Sequence, residues 1–210
     1  NIADSNGSAK TNDLCQADAN CVSYWSLDGN YSDSKGTSHG SCSAGLCPAN
    51  VTGISSGAMS FDGSDDYIDF GTGSSLNGAV DFTLHTWIKT GGGGEILTQR
   101  DVGDDYDGVY RLYIGGGLVC FNLYTGAYQW GSGWCDLNSI ITVNDNSWHS
   151  ITVTRAGTAG KIYVDGTLTS SSSGTTRNLD NSIKVYMGEN HRDGNNNFNG
   201  AMDEVLIYND

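Results

Sequence analysis

Short runs in which apolar and polar residues alternate recur along the chain: AMSFDGSDDYIDFG, DFTLHTWIKT, YRLYIGGGLVCFNLY, SWHSITVTRAG, GKIYVDGTLTS, SIKVYMGEN and AMDEVLIYND. A period of two predicts strands with one face turned to a core. In DFTLHTWIKT, Phe82, Leu84, Thr86 and Ile88 share one face, while Thr83, His85, Trp87 and Lys89 share the other. His149, Ile151 and Val153 repeat this logic in SWHSITVTRAG. Gly, Asp or Asn bounds nearly every run, and TRAGTAGKIYVDG and LTSSSSGTTRN read as hairpin or connecting loops. No long apolar run has helical spacing and no internal repeat is visible, so the pattern predicts an all-β chain of many short strands.

A length of 210 residues with one proline fits one large sandwich better than two small domains. Residues 1–20, opening on the polar stretch NIADSNGSAKTNDL, are expected to be an N-terminal arm or linker, and residues 21–210 the domain. The polar start suggests a mature or trimmed fragment whose export signal has been removed. The sequence contains no membrane span.

Twenty-four acidic against ten basic residues give a formal charge of -14, which would repel a phosphate backbone and excludes nucleic acid as a partner. The same carboxylates suit hard cations, although acidity also serves solubility. Six cysteines fall in close pairs, Cys15 with Cys21, Cys42 with Cys47 and Cys120 with Cys135, without CxxC spacing. Three disulfides are the economical reading. The competing connectivity joins Cys15 to Cys47 and Cys21 to Cys42. Either requires an oxidising compartment, so an extracellular, secreted or cell-surface location is expected.

The order VSYWSLDGNYSDSKG, AMSFDGSDDYIDFG, FTLHTWIKT, NSWHSITVTRAG, GKIYVDG, IKVYMGE and FNGAMDEVLIYN resembles the laminin-G-like jelly roll of the concanavalin-A-like superfamily over roughly residues 21–209. The resemblance implies a two-sheet antiparallel jelly-roll β-sandwich, commonly a binding module with calcium near one edge. Alternation in AMDEVLIYND puts Asp203 on the face of Val205 and Ile207, opposite Glu204, so one carboxylate points inward and demands compensation. The resemblance selects calcium and names Asp203, Asp28 and Asp62 as its ligands, gathered at one edge. The alternative makes Asp28 and Asp62 ordinary Asx-turn residues and Asp203 an acceptor of backbone hydrogen bonds. Asp101, Asp104, Asp105 and Asp107 lack EF-hand spacing and read as a solvated loop.

Trp25, Trp87 and Trp148 are assigned to packing. Tyr124, Tyr128, Trp130 and Trp134 crowd the Gly-rich segment between Cys120 and Cys135 and are the candidate ligand site, since aromatic faces stack on sugar rings. The alternative is that they fill a hairpin's own small core. Arg192, in the polar loop GENHRDGNNNFNG, is a candidate second wall. Asn6, Asn30 and Asn50 begin potential glycosylation triplets. The three glutamates, Glu95, Glu189 and Glu204, are too scattered to propose an acid and nucleophile pair, and no hydrolase signature is present. The expected function is a non-catalytic extracellular module recognising glycans in adhesion or polysaccharide attachment. The alternative is a structural surface subunit, filament- or pilus-like, that associates with copies of itself.

Overall fold

The computed structural model describes residues 15–72, 79–100, 107–125, 128–129, 135–174, 179, 183–191 and 194–209. Their strands are β1 (Cys21–Trp25), β2 (Ala49–Thr52), β3 (Gly57–Asp62), β4 (Ile68–Asp69), β5 (Phe82–Thr90), β6 (Gly94–Gln99), β7 (Asp107–Gly115), β8 (Leu118–Thr125), β9 (Tyr128–Gln129), β10 (Leu137–Thr142), β11 (Trp148–Ala156), β12 (Ala159–Val164), β13 (Thr167–Ser173), β14 (Val185–Met187) and β15 (Asn199–Tyr208). They form two antiparallel sheets, as the alternation requires. An eight-stranded sheet runs β13-β12-β11-β5-β15-β3-β2, with β1 also on β15. A seven-stranded sheet runs β10-β8-β7-β6-β14-β4, with β9 on β8.

The core lies between the sheets. Phe82, Leu84 and Ile88 of β5, Tyr110, Leu112 and Ile114 of β7, Val119, Phe121 and Leu123 of β8, and Ile151 and Val153 of β11 are all buried in it. Trp25 is also a core residue. Trp87 and Trp148 are not. They share the outer face of the eight-stranded sheet with His85 and Lys89, because their core-facing neighbours take the other phase of the pleat.

The pairing of β15 changes along its length. One edge is held by β5 throughout; the other is held by β3 at residues 199–202 and by β1 at 205–208. The register slips between Asp203 and Leu206, and Glu204 has φ of 52°, the left-handed region that a bulge imposes on its extra residue. This corrects strict alternation through AMDEVLIYND. Met202, Val205 and Ile207 join the core, whereas Asp203 and Glu204 are both buried at the bulge, Asp203 opposite Trp87 of the outer face and Glu204 bonded to Tyr24.

The disulfides join neighbours: Cys15–Cys21, Cys42–Cys47 and Cys120–Cys135. Cys15 and Cys21 pack with Tyr24 and Leu206 in a small second apolar cluster. Leu206 lies in the opposite pleat phase from Val205 and Ile207, so this cluster covers the outer side of β15.

At the start of β11, His149 Nδ1 meets Asp165 Oδ2 at 2.8 Å and its Nε2 meets Asp145 Oδ1 at 3.1 Å. Burial opposes a charge on this ring, but the bonds and charges of Asp165 and Asp145 outweigh it and raise the pKa above the ordinary value. A base whose folded pKa is raised adds stability that is fully present below the unfolded value, about 6.5, and lost as pH climbs through the folded one. His149→Gln is therefore expected to lower the melting temperature at about pH 5 and much less at about pH 9. Melting curves across that range check it; a pH-independent difference would mean that the ring serves only in packing.

Candidate metal centre

Three segments converge where β15 exchanges β3 for β1. Asp203, fully buried, accepts hydrogen bonds at Oδ2 from the amides of Ile54 (2.8 Å) and Ser55 (3.1 Å), which tie the turn between β2 and β3 to β15. Its Oδ1 is buried without a hydrogen-bond partner among the described residues. Burial, chiefly, pushes this carboxyl up to about 7; the Ser55 and Ile54 amides act against that, and the adjacent Glu204 charge adds to it. Glu204 Oε2 accepts the Tyr24 hydroxyl at 2.9 Å. Burial and then the charges of Glu204, Asp28 and Asp203 drive the Tyr24 hydroxyl well above the usual phenol range, so all three carboxylates lie within electrostatic reach of it.

Asp28 follows β1, and its Oδ1 accepts the amide of Gly57, the first residue of β3, at 2.6 Å. Asn50 on β2 points to the same place: a Cβ at Gly57 would lie 3.2 Å from both Asn50 Oδ1 and Asp28 Oδ1. Asp28 and Asn50 line an open cleft with Val51, Thr52 and Ser56. Gly53 is wedged against Asp203, where a methyl group would overlap the Gly57 carbonyl oxygen and Asp203 Oδ2.

A buried carboxylate oxygen with no donor costs several kcal/mol unless the charge is removed or compensated. The orphaned Oδ1 of Asp203 could be completed by a hard cation, and calcium accepts a mixture of carboxylate, amide and backbone oxygens such as this turn and the nearby Asp28 and Asn50 cleft offer. Asp203, Asp28, Asn50 and carbonyls of the 53–57 turn are the groups here that would hold it.

Asp62 does not join them. It ends β3, five residues beyond Gly57 and so about 17 Å along an extended strand. There its Oδ1 accepts the Ser64 amide at 2.7 Å, an Asx turn, and it groups with Asp65 and Asp66, whose ligand atoms lie within 4.8 Å of one another. The expected trio is thus split by the length of β3. Asn50 was missed by sequence reasoning. Its one signal, the triplet Asn50-Val51-Thr52, pointed to glycosylation instead.

Of the candidate ligand-binding residues, Tyr124 on β8 and Tyr128 on β9 belong to one paired ribbon, with Tyr124 opposite Gln129 and Thr125 opposite Tyr128. Trp130, Trp134 and Arg192 lie outside the described residues, as do Asp101, Asp104 and Asp105. Cys120, between core residues Val119 and Phe121, sits in the outer phase of β8, so its disulfide fastens residue 135 on the outer side of the seven-stranded sheet.

Two antiparallel sheets around one core, with an acidic seam on the last strand, define a jelly-roll sandwich. The chain belongs to the laminin-G-like family of the Concanavalin A-like lectin/glucanases superfamily, which matches residues 62–210. Among solved structures it is similar to domain 4 of AbnA, a GH43 extracellular arabinanase from Geobacillus stearothermophilus, in complex with arabinotriose, with TM-score 0.68, 17% identity, and coverage of 90% of this chain and 92% of that one. It is also similar to the CBM40 of Ruminococcus gnavus IT-sialidase bound to α2,3 sialyllactose, with TM-score 0.58, 15% identity, and coverage of 73% and 89%. Domains LG4-5 of the mouse laminin alpha1 chain match with TM-score 0.56 and 16% identity, over 76% of this chain and 41% of that one. No curated protein sequence matches the chain.

Calcium is expected to raise the melting temperature and EDTA to reverse the effect, because a ligand held only by the folded state stabilises it. Asp203→Asn should abolish the response, and Gly53→Ala should cost about 1–3 kcal/mol by overpacking the turn. Thermal melts with and without calcium test both. An Asp203→Asn protein that responds like the wild type would place the cation elsewhere.

Proposed function

We propose that this chain is a non-catalytic, extracellular glycan-binding module stabilised by calcium at Asp28, Asn50 and Asp203. The observation that carries the reading is the Cys120–Cys135 disulfide, which closes a 15-residue loop. In the chain-entropy model such a cross-link is worth about 3 kcal/mol, and the segment it encloses carries Tyr124, Tyr128, Trp130 and Trp134. Preorganised aromatic side chains supply contact area at low entropic cost. Solved relatives of the same fold bound to arabinotriose and sialyllactose support sugars as the ligand class.

The glutamates support binding over hydrolysis. Glu95 is fully buried and pairs with Arg111, with Asn196 Nδ2 bonded to it at 3.0 Å; Glu204 holds Tyr24; Glu189 faces His191 at 3.3 Å. Each is engaged in its own contact, and among the described residues none is seen in the facing pair of carboxylates that glycoside hydrolysis uses. The three disulfides support an oxidising, extracellular setting. Among the described residues no helix is long and apolar enough to cross a membrane.

A self-associating surface subunit is the second reading, favoured by β13, a largely exposed strand of sequence TLTSSSS at the end of its sheet with no charged residue to guard that edge.

A glycan array read with calcium and with EDTA tests the main reading, using the wild type and the Trp130→Ala/Trp134→Ala variant. The double variant is expected to lose at least about tenfold in apparent affinity. A wild type silent across the array would refute glycan recognition and leave the self-associating subunit, which sedimentation would then show as oligomers.

A further inference from the structure

The outer face of the eight-stranded sheet, the sheet opposite the one that carries Cys120, holds a groove. Register sets Ser60, Ala201, Lys89 and Trp148 side by side across β3, β15, β5 and β11. The row spans three strand spacings, about 14 Å. Its middle is low, because Ala201 and Ser60 are small, and the bulky groups stand at the sides: Trp148 and Lys89 on one, Val51 of β2 on the other. The result is a groove of about 280 Å3, with Asn146 and Asn199 also in its lining. Ligand pockets run to about 300–1,000 Å3, so this one suits a single ring rather than a larger molecule.

Its chemistry is that of a saccharide subsite. Trp148 offers part of an indole to a flat apolar surface. Lys89 is exposed and has no hydrogen-bond or carboxylate partner among the described residues, although acidic groups outnumber basic ones in this chain by 24 to 10. By contrast Lys184 is paired with Asp69, and Lys35 with the Gln16 carbonyl. An ammonium group only donates, whereas the amides of Asn146 and Asn199 both donate and accept. A ligand that fills this groove therefore presents an apolar ring face to Trp148, oxygen acceptors to Lys89 and hydroxyl groups to the asparagines.

We propose that this groove is a second saccharide-binding subsite, taking one sugar ring against Trp148 with Lys89 donating to its oxygens. The proposal rests on the glycan-binding reading but not on the aromatic loop. The glycan array separates them when the Trp130→Ala/Trp134→Ala variant is probed at raised protein concentration, alone and with either Ala201→Arg, which fills the groove, or Trp148→Ala. Ala201 lies on the outer face, so the arginine is sterically open, and a melting curve identifies any variant that has not folded. The expected result is a set of glycans still bound by the loop variant, weakened at least tenfold by Ala201→Arg and by Trp148→Ala. Ligand binding should also shift the fluorescence of the loop variant, whose remaining tryptophans are Trp25, Trp87 and Trp148. A loop variant that binds nothing while the wild type binds would overturn the subsite and leave the module's function intact. Residual binding untouched by a folded Ala201→Arg protein would also overturn it, whereas a silent wild type would remove both readings together.

Discussion

The burial of the Asp203 carboxylate is the constraint around which the edge of this sandwich is built. A strand in the middle of a sheet has its backbone hydrogen bonds taken on both sides, yet β15 must pass from β3 to β1 along one edge. The bulge at Asp203 and Glu204 makes that exchange, at the expense of two buried carboxylates and a non-glycine residue in the left-handed region. The amides of Ile54 and Ser55 satisfy one oxygen of Asp203, and the Tyr24 hydroxyl satisfies one of Glu204. The remaining oxygen of Asp203 is what a cation would complete. Gly53 follows from the same geometry, since no side chain fits between the turn and this carboxylate.

That seam also connects distant parts of the fold. The turn held by Asp203 joins β2 to β3, and β2 separates the acidic cleft at Asp28 and Asn50 from the groove beside Trp148. Val51 and Thr52 line both. A cation that orders this turn would therefore also steady one wall of the groove. The Cys15–Cys21 cluster acts from the other end, covering Tyr24 and Leu206 so that the hydroxyl bonded to Glu204 stays out of water. On the opposite sheet, the buried Glu95–Arg111 pair and the Cys120–Cys135 bridge stiffen the side to which the aromatic segment is attached.

Much of the fold was legible in the sequence because a pleated strand has a period of two. The alternation in DFTLHTWIKT alone sorts Phe82, Leu84 and Ile88 to the core and His85, Trp87 and Lys89 away from it, as β5 shows. Short spacing favoured neighbouring cysteine pairs, and they are the pairs that form. The sequence also marked one carboxylate of Asp203 and Glu204 as in need of compensation, since an acid within an apolar strand has few ways to be satisfied; both are buried.

Tertiary structure decided what depends on register and on strand length. Alternation assumes an unbroken ladder, so it failed at the bulge, where two consecutive acids are buried together. The FDG turn at Asp62 read like a partner of Asp28, but an extended β3 keeps them at opposite ends, and Asn50 takes the place beside Asp28. Trp148 and Lys89 are 59 positions apart in the chain, and only the pairing of β5 with β11 makes them neighbours. Periodicity is a local property that each residue carries with it, whereas a site is made by strands that meet across a sheet, and the pairing that brings them together is written in no single segment.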